Sequence, residues 1–282
     1  MTQIAFLGTG LLGSALAEAA AKRGDRVTAW NRTAAKARAL EAFGIRAAAM
    51  PADAVRGATR VHLVLTDDAV VDDVIAQLRP GLGAESIILD HSTTLPVLTA
   101  ERVKRLNADG VRYLHSPVFI GPAAARAGQG TILVAGPERS YEVVKDDLAR
   151  MATRVEYVGE RGDLAAVYKL CGNAFIIGIN ALVADVFSVA SGADVAPTDA
   201  MRIMQFFDPS AIITGRGKSM IAANYAPSFE LDMARKDMRL MIETAGDKPL
   251  AALGAIAARM DALIAAGHGG DDLAVMGKDA TG

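Results

Sequence analysis

The chain predicts an α/β domain over residues 1–162, an all-α domain over 163–282, and a long helix joining them. Three observations carry this expectation. A glycine-punctuated strand–turn–helix–strand opens the chain. Alternating strand and helix patterns then continue to about Val158, and beyond them lies a long apolar run whose sequel is helical throughout.

The bulk properties suit such a protein. Of 282 residues, 51% are hydrophobic, with 30 basic against 32 acidic side chains, a net charge of −2. That balance supplies a large core and gives no general attraction to nucleic acid or anionic membranes. The first residues run straight into an apolar strand, so no secretory leader is expected. No apolar run looks uninterrupted enough to span a bilayer. The single cysteine, Cys171, excludes an intramolecular disulfide and fits a reducing compartment, which makes the cytoplasm the default.

Residues 4–7 form the first strand, and Gly8-Thr9-Gly10-Leu11-Leu12-Gly13 follows it into a strong helix former that ends near Gly24. Residues 26–30 read as the second strand. A bare GxGxxG is weak, but here it lies between a strand and a helix in a βαβ unit, which is the Rossmann dinucleotide-binding fingerprint. Gly8 permits the tight turn, Gly10 lets a pyrophosphate approach the backbone, and Gly13 lets the helix close on the sheet. The helix N-terminus then offers free N–H groups to the phosphates.

The end of the second strand bears on which dinucleotide. NAD sites usually carry a carboxylate there for the ribose hydroxyls. This chain has Asn31, Arg32 and Thr33 instead, so nothing repels a 2′-phosphate while a guanidinium and a hydroxyl can bind it. The expectation is NADP(H).

Residues 59–66 and 86–90 read as further core strands that end in small polar residues. The carboxyl ends of parallel strands line the ligand crevice, which makes Thr66, Ser92 and Thr93 candidates to border the cofactor. Ser92 or Thr93 could also cap the next helix, with Pro96 in its first turn. Further on, Gly121, Gly128 and Gly130 allow two readings: a loop presenting backbone N–H groups to an anion or carbonyl oxygen, or a hairpin-like connection.

Residues 164–190 read as a buried helix, apolar nearly all round, that carries one lysine, Lys169, with Asn173 four positions on along the same face. A lone ammonium among aliphatic side chains is costly unless paired. It could serve chemistry or form an interdomain ion pair with Asp232 or Asp237. Cys171 points to another helix face and reads as packing. Lys236 and Asp237 interrupt an amphipathic helix, where a surface pair is the commoner explanation. His62, His91, His115 and His268 show no metal-ligand spacing with Cys171, so no metal is expected.

Taken together, these segments resemble the β-hydroxyacid dehydrogenase family, which includes 3-hydroxyisobutyrate dehydrogenase and the glyoxylate and succinic semialdehyde reductases and is related to the imine reductases. The likeness runs in order through Gly8–Gly13, Asn31-Arg32-Thr33, Asp90-His91-Ser92-Thr93, Pro117-Val118 with Gly121 and Gly128, Gly162 to Lys169 and Asn173, and Lys236-Asp237. The resemblance implies a Rossmann domain, an all-helical domain with a 6-phosphogluconate dehydrogenase-like character, and a long helix that helps build dimers or tetramers. It implies NADP-dependent interconversion of a carbonyl and a hydroxy compound, with Lys169 as general acid/base and Asn173 positioning the substrate. Ser92 and Thr93 would lie beside nicotinamide and substrate, and Lys236 would close over both. One departure stands out. The family's Ser-Gly-Gly after Pro-Val, which binds a substrate carboxylate, is replaced here by Phe119-Ile120-Gly121, favouring a bulkier or more apolar carbonyl. The rival readings are imine reduction on the same fold, against which Lys169 argues, and a non-catalytic dinucleotide-binding regulator.

Overall fold

The computed structural model describes residues 2–280, which divide into two compact units, the first ending at Asn173 and the second beginning at Ala174. The first unit is built on a nine-stranded sheet. Its parallel part comprises β1 (Gln3–Leu7), β2 (Arg26–Trp30), β3 (Arg46–Ala47), β4 (Arg60–Leu63), β5 (Ile87–Asp90) and β6 (Arg112–His115), in the spatial order β3-β2-β1-β4-β5-β6. This is the Rossmann order, and its reversal point lies between β1 and β4. Helices α1 (Leu11–Lys22), α2 (Ala34–Arg38), α3 (Pro51–Val55), α4 (Asp68–Leu78) and α5 (Pro96–Ala108) make the crossovers.

Every residue of β4 and β5 is buried, as strands covered on both faces must be. The alternation of side chains splits the apolar set into two cores. Ile4 and Phe6 join α1 on one face, while Ala5 and Leu7 join α3 and α4 on the other.

After β6 the sheet changes character. Strands β7 (Val118–Phe119) and β8 (Thr131–Ala135) pair antiparallel around α6 (Pro122–Arg126), and α7 (Glu138–Ala149) leads to β9 (Arg154–Gly159), parallel to β8. The glycine-rich stretch is therefore a hairpin-type connection. A Cβ on Gly130 would lie 2.7 Å from Ile120 Cγ1 and 2.8 Å from the Phe119 carbonyl oxygen, so glycine there lets the hairpin close. Arg126 on α6 grips the buried Glu18 of α1 through two hydrogen bonds.

Four expectations need correction. Leu95, not Ser92 or Thr93, caps α5, and its N–H donates to Asp68 at 2.9 Å while Pro96 takes the first helical position. The long helix α8 (Leu164–Gly192) begins as expected but is mostly exposed, because only a narrow stripe of it meets the rest of the chain. Its start is held in the first unit: Ala165 packs with Leu133, Ala135, Phe119 and Val158. Cys171 is exposed rather than packed. By length and composition α8 is also apolar enough to cross a membrane, with mean hydropathy 1.9 over a window that is 6% buried. Lys169 sits near the start of this helix and interrupts it less than the sequence suggested.

The second unit is helical among its described residues: the rest of α8, then α9 (Pro197–Ala200), α10 (Pro209–Ile221), α11 (Leu231–Ala245) and α12 (Leu253–Leu263). Pro197 and Pro209 start helices as proline at the first position should, whereas Gly215 sits inside α10 without breaking it. Two buried carboxylates organise this unit. Asp185 accepts from the N–H groups of Ala251, Ala252 and Leu253 and so closes the start of α12. Asp272 accepts from Ser228, Phe229 and Ala274 and pairs with Arg216.

Candidate active site

The Gly8–Gly13 turn has the geometry its spacing implies. Gly8 has φ +97°, and a Cβ there would stand 2.2 Å from the Val64 carbonyl oxygen. A Cβ on Gly13 would stand 2.0 Å from the Gly8 carbonyl oxygen. Around Gly10 the space is open, with nothing within 4 Å of an added Cβ, so this is where a ligand's phosphates can approach the backbone. Leu11, 85% exposed, starts α1 beside it, and Leu12 is half-buried against the core. Thr9 is buried, its hydroxyl without a hydrogen-bond partner.

A cleft of about 280 Å³ opens from this turn, lined by Gly8, Gly10, Asn31, Arg32, Thr33 and Thr66 among others. Asn31 faces inward to the protein: its Oδ1 accepts from Thr9 N–H at 3.0 Å and its Nδ2 donates to the Thr33 carbonyl at 3.1 Å. It thus ties the glycine turn to the end of β2 and positions Arg32, which is exposed and has no ion pair among the described residues. Lys36 lines the same cleft and was missed in the sequence, where the only signal was a second basic residue shortly after Arg32. Asp73 on the opposite wall is held by Gln77 at 2.8 Å. Asp67 caps α4 by accepting from the Val70 N–H and also accepts from Thr66 Oγ1, and these bonds, with Arg32 adding to them, hold the Asp67 carboxyl below the usual carboxylate range. Open backbone at Gly10 and two exposed cations, Arg32 and Lys36, at the far end fit an adenine dinucleotide.

Beyond Thr66 lies the segment after β5. Ser92 is 2% exposed, and its Oγ accepts from Leu65 N–H at 3.0 Å. Thr93 beside it is exposed. The Ser92 N–H donates to the Asp90 carboxylate at 2.9 Å, and Tyr113 Oη donates to the other oxygen of Asp90 at 2.7 Å.

Lys169 is held within the first unit. Its side chain is 9% exposed, and Nζ donates to the Val118 carbonyl at 2.8 Å and lies 4.2 Å from the centre of the Phe119 ring. No carboxylate of that unit pairs with it. Burial alone pushes its pKa below the ordinary lysine value. Asn173, one turn on, is half-buried, with no side-chain hydrogen bond among the described residues. Ile120 and Gly121 follow Phe119, and Gly121 caps α6.

The sequence also missed Gly172. A Cβ there would stand 2.3 Å from Phe119 Cζ, so only glycine lets the ring lie against α8 beside the ammonium. Lys236, on α11 of the second unit, pairs with Asp237 at 2.9 Å, both about half exposed, which is the surface-pair geometry. Among the described residues no group of three or more His, Cys, Asp or Glu side chains is arranged to hold a metal.

Comparison with known proteins gives three kinds of likeness. Residues 3–159 match the family model described as the NAD binding domain of 6-phosphogluconate dehydrogenase. Glyoxylate/succinic semialdehyde reductase 1 of Arabidopsis thaliana is 29% identical over 271 residues, covering 89% of each chain. The 3-sulfolactaldehyde reductase of Escherichia coli (strain K12) is 26% identical over 256 residues, 87% of this chain and 84% of that one. Among solved structures, an imine reductase from Pseudomonas sp. superposes with a TM-score of 0.88 over 98% of both chains at 23% identity, a likeness of fold.

Proposed function

The chain belongs to the β-hydroxyacid dehydrogenase family, with an NAD binding domain of the 6-phosphogluconate dehydrogenase type, and from that premise we propose that it is an NADP(H)-dependent reductase of aldehydes or oxo acids. The observation that carries this reading is the Lys169 ammonium, buried with a carbonyl and an aromatic face as partners and no carboxylate of its own unit. An amine so placed is free to serve a reacting oxygen.

The nicotinamide supplies or accepts the hydride when bound. The protein's task is the proton and the charge on oxygen. In reduction, protonated Nζ donates a hydrogen bond to the substrate carbonyl, stabilises the growing negative charge and gives up its proton to the alkoxide. In oxidation neutral Nζ takes the alcohol's proton. Burial lowers the lysine pKa, which makes the ammonium a readier proton donor and the neutral amine that oxidation needs easier to reach. Asn173 orients the substrate oxygen or the amine from one turn along. Ser92 and Thr93 border the nicotinamide, and Phe119 and Ile120 wall the substrate. Phe119 and Ile120 present carbon where a carboxylate would need donors, which favours a carbonyl carrying an apolar substituent.

At the other end of the cleft, Arg32 and Lys36 bind the 2′-phosphate. A charge-assisted hydrogen bond contributes about 1.5–3 kcal/mol, roughly ten- to hundredfold in affinity. Arg32→Ala should therefore weaken NADPH by that factor and NADH little, measured by fluorescence titration. Equal losses for both would mean that Arg32 does not read the phosphate.

The partner is a second copy of this chain, a homodimer or homotetramer formed through the helical domain. The exposed side chains of α8 include Phe175, Ile176, Ile177 and Ile179, far more apolar surface than a monomer exposes without reason. Asp185, seated in that helix on three backbone N–H groups, suits a protein contact better than lipid. A lone thiol suits a reducing compartment, and the cytoplasm is the proposed location.

The test is turnover. Lys169→Ala should cut kcat by about two to three orders of magnitude while NADPH still binds. The assay follows NADPH oxidation with succinic semialdehyde, glyoxylate, an aromatic aldehyde and a cyclic imine. Near-normal turnover in the variant removes the assignment, and preference for the imine moves the enzyme to C=N reduction.

A further inference from the structure

Three of the four histidines lie inside the first unit, His62 at 1% exposure, His91 at 3% and His115 at 0%. None is explained by a metal or by the reading of the site given above. Their hydrogen bonds fix the proton on each ring. His91 Nδ1 lies 2.7 Å from the Ser116 carbonyl oxygen, which can only accept, so that nitrogen carries the proton. Its Nε2 is then a lone pair, and His62 Nδ1, 2.9 Å away, must be the donor to it. His115 Nε2 lies 3.1 Å from the Ser92 carbonyl oxygen and so carries its proton there.

The hydroxyls next to His115 agree with this assignment. Thr99 donates to the Leu95 carbonyl at 2.9 Å, so it accepts from Thr94, and Thr94 Oγ1 in turn accepts from His115 Nε2 at 3.1 Å. His115 Nδ1 is left as a buried acceptor without a partner. A second proton on that ring would point at nothing.

These bonds converge on one residue. Ser92 is held at three atoms: its N–H by Asp90, its Oγ by the Leu65 N–H, and its carbonyl by His115. Its hydroxyl proton is then free to donate to a ligand. Asp90 is itself fixed by Tyr113, and His91, one residue before Ser92, is anchored to Ser116 and His62. The segment is thereby set from below, while Thr93 faces out.

We propose that His115, as the neutral Nε2–H tautomer, is a positioning residue that aims the Ser92 hydroxyl into the active site, with the His62–His91 pair bracing the same segment. The inference rests on the reading of Ser92 as a residue of that site. A displacement of about 1 Å at a reacting centre can cost a hundredfold in rate. The loss should fall on kcat, because the Ser92 hydroxyl matters where substrate and nicotinamide meet, and not at the far, phosphate-binding end of the cleft.

The test compares His115→Leu with His115→Gln, using succinic semialdehyde and NADPH. Leucine cannot donate; the glutamine amide reaches about as far as Nε2. His115→Leu should lower kcat about 10- to 100-fold with NADPH affinity within about twofold. His115→Gln should recover kcat to within about threefold of the wild type. Equal losses in both variants would mean mere packing, and no loss in either would mean no role; each overturns the proposal. Nitrogen-15 NMR of histidine-labelled wild type gives a readout that does not depend on the variants folding. His115 should appear as the Nε2–H tautomer and His62 and His91 as Nδ1–H at neutral pH, and any other assignment for His115 sinks the idea. Lys169→Ala in the same assay separates the two claims. If that variant keeps its turnover, the proposed reaction is wrong; if it is dead while both His115 variants are normal, only this inference fails.

Discussion

The two units bury their apolar residues differently. In the first, the sheet's two faces are each covered and strands such as β4 and β5 are buried at every residue. In the second and along α8, large side chains stand open: Phe206 is 81% exposed, Ile221 80% and Ile177 69%. The cores are built by the same physics, so the contrast concerns completeness. A sheet with helices on both sides closes on itself, whereas a long helix with apolar residues all round needs more neighbours than this chain supplies.

The largest expected effect breaks that contrast at α8. If a second copy covers the helix, Phe175→Asp with Ile177→Asp should turn a dimer into a monomer in sedimentation at micromolar concentration. Each large side chain removed from water contributes about 2 kcal/mol, and a two-fold interface counts each change twice. The dissociation constant should rise by three or more orders of magnitude. A wild type that is monomeric at the same concentration would mean that the exposed face is not an interface between copies.

Next in size is a pair of changes within the glycine turn. Gly8→Ala forces a side chain into φ +97° and against the Val64 carbonyl, and should cost about 3 kcal/mol of stability in urea unfolding. Gly10→Ala has open space and an ordinary φ of −70°, so stability should stay within about 0.5 kcal/mol. What Gly10→Ala should lose is NADPH affinity, at least about tenfold, because the new methyl occupies the approach to the backbone. Comparable stability losses in both variants would show that the glycines serve the turn alone.

These glycines were legible because their roles are local. A strand, a turn and a helix within a few residues fix what each must do, and the strand expected at 26–30 matches β2 to the residue for the same reason. What was not legible depends on pairings across the sequence. Gly172 is explained only by Phe119, 53 positions earlier (172 − 119), lying against it. Lys36 needs the cleft's shape, and only the folded chain shows that the Asn31 amide is bonded to Thr9 and Thr33. The histidines offer the sequence only their spacing, which fits no metal site, and period and spacing say nothing about buried imidazoles bonded to each other. The exposure of α8 was also invisible: an apolar composition states a need for burial but not which chain meets it.

The smallest predicted effect again divides the two units, this time by acidity. The second unit has one histidine, His268, paired with Asp271 near the surface, while the first has three buried ones. Burial is the first cause that lowers the pKa of each buried ring below the ordinary histidine value. For His62, lowered furthest, the neighbours His91, Arg60 and Arg23 add to it. For His91 the Ser116 hydrogen bond and Asp90 oppose, and His115 adds to it. For His115, Asp90, Ser92 and Asp68 oppose, and Arg102 adds to it. Below about pH 6.5 the unfolded chain takes up protons that the folded rings refuse, so stability falls as pH falls and is level above that point. Each ring can remove about 1 kcal/mol per pH unit between the unfolded and folded values. Hydrogen exchange at pH 7.5 and 5.5, corrected for intrinsic rates, should therefore show protection lost in β4, β5 and β6 well before α11 and α12. Equal loss in both units would mean that the imidazoles are not the acid-sensitive groups, because the second unit holds none that is buried in this way.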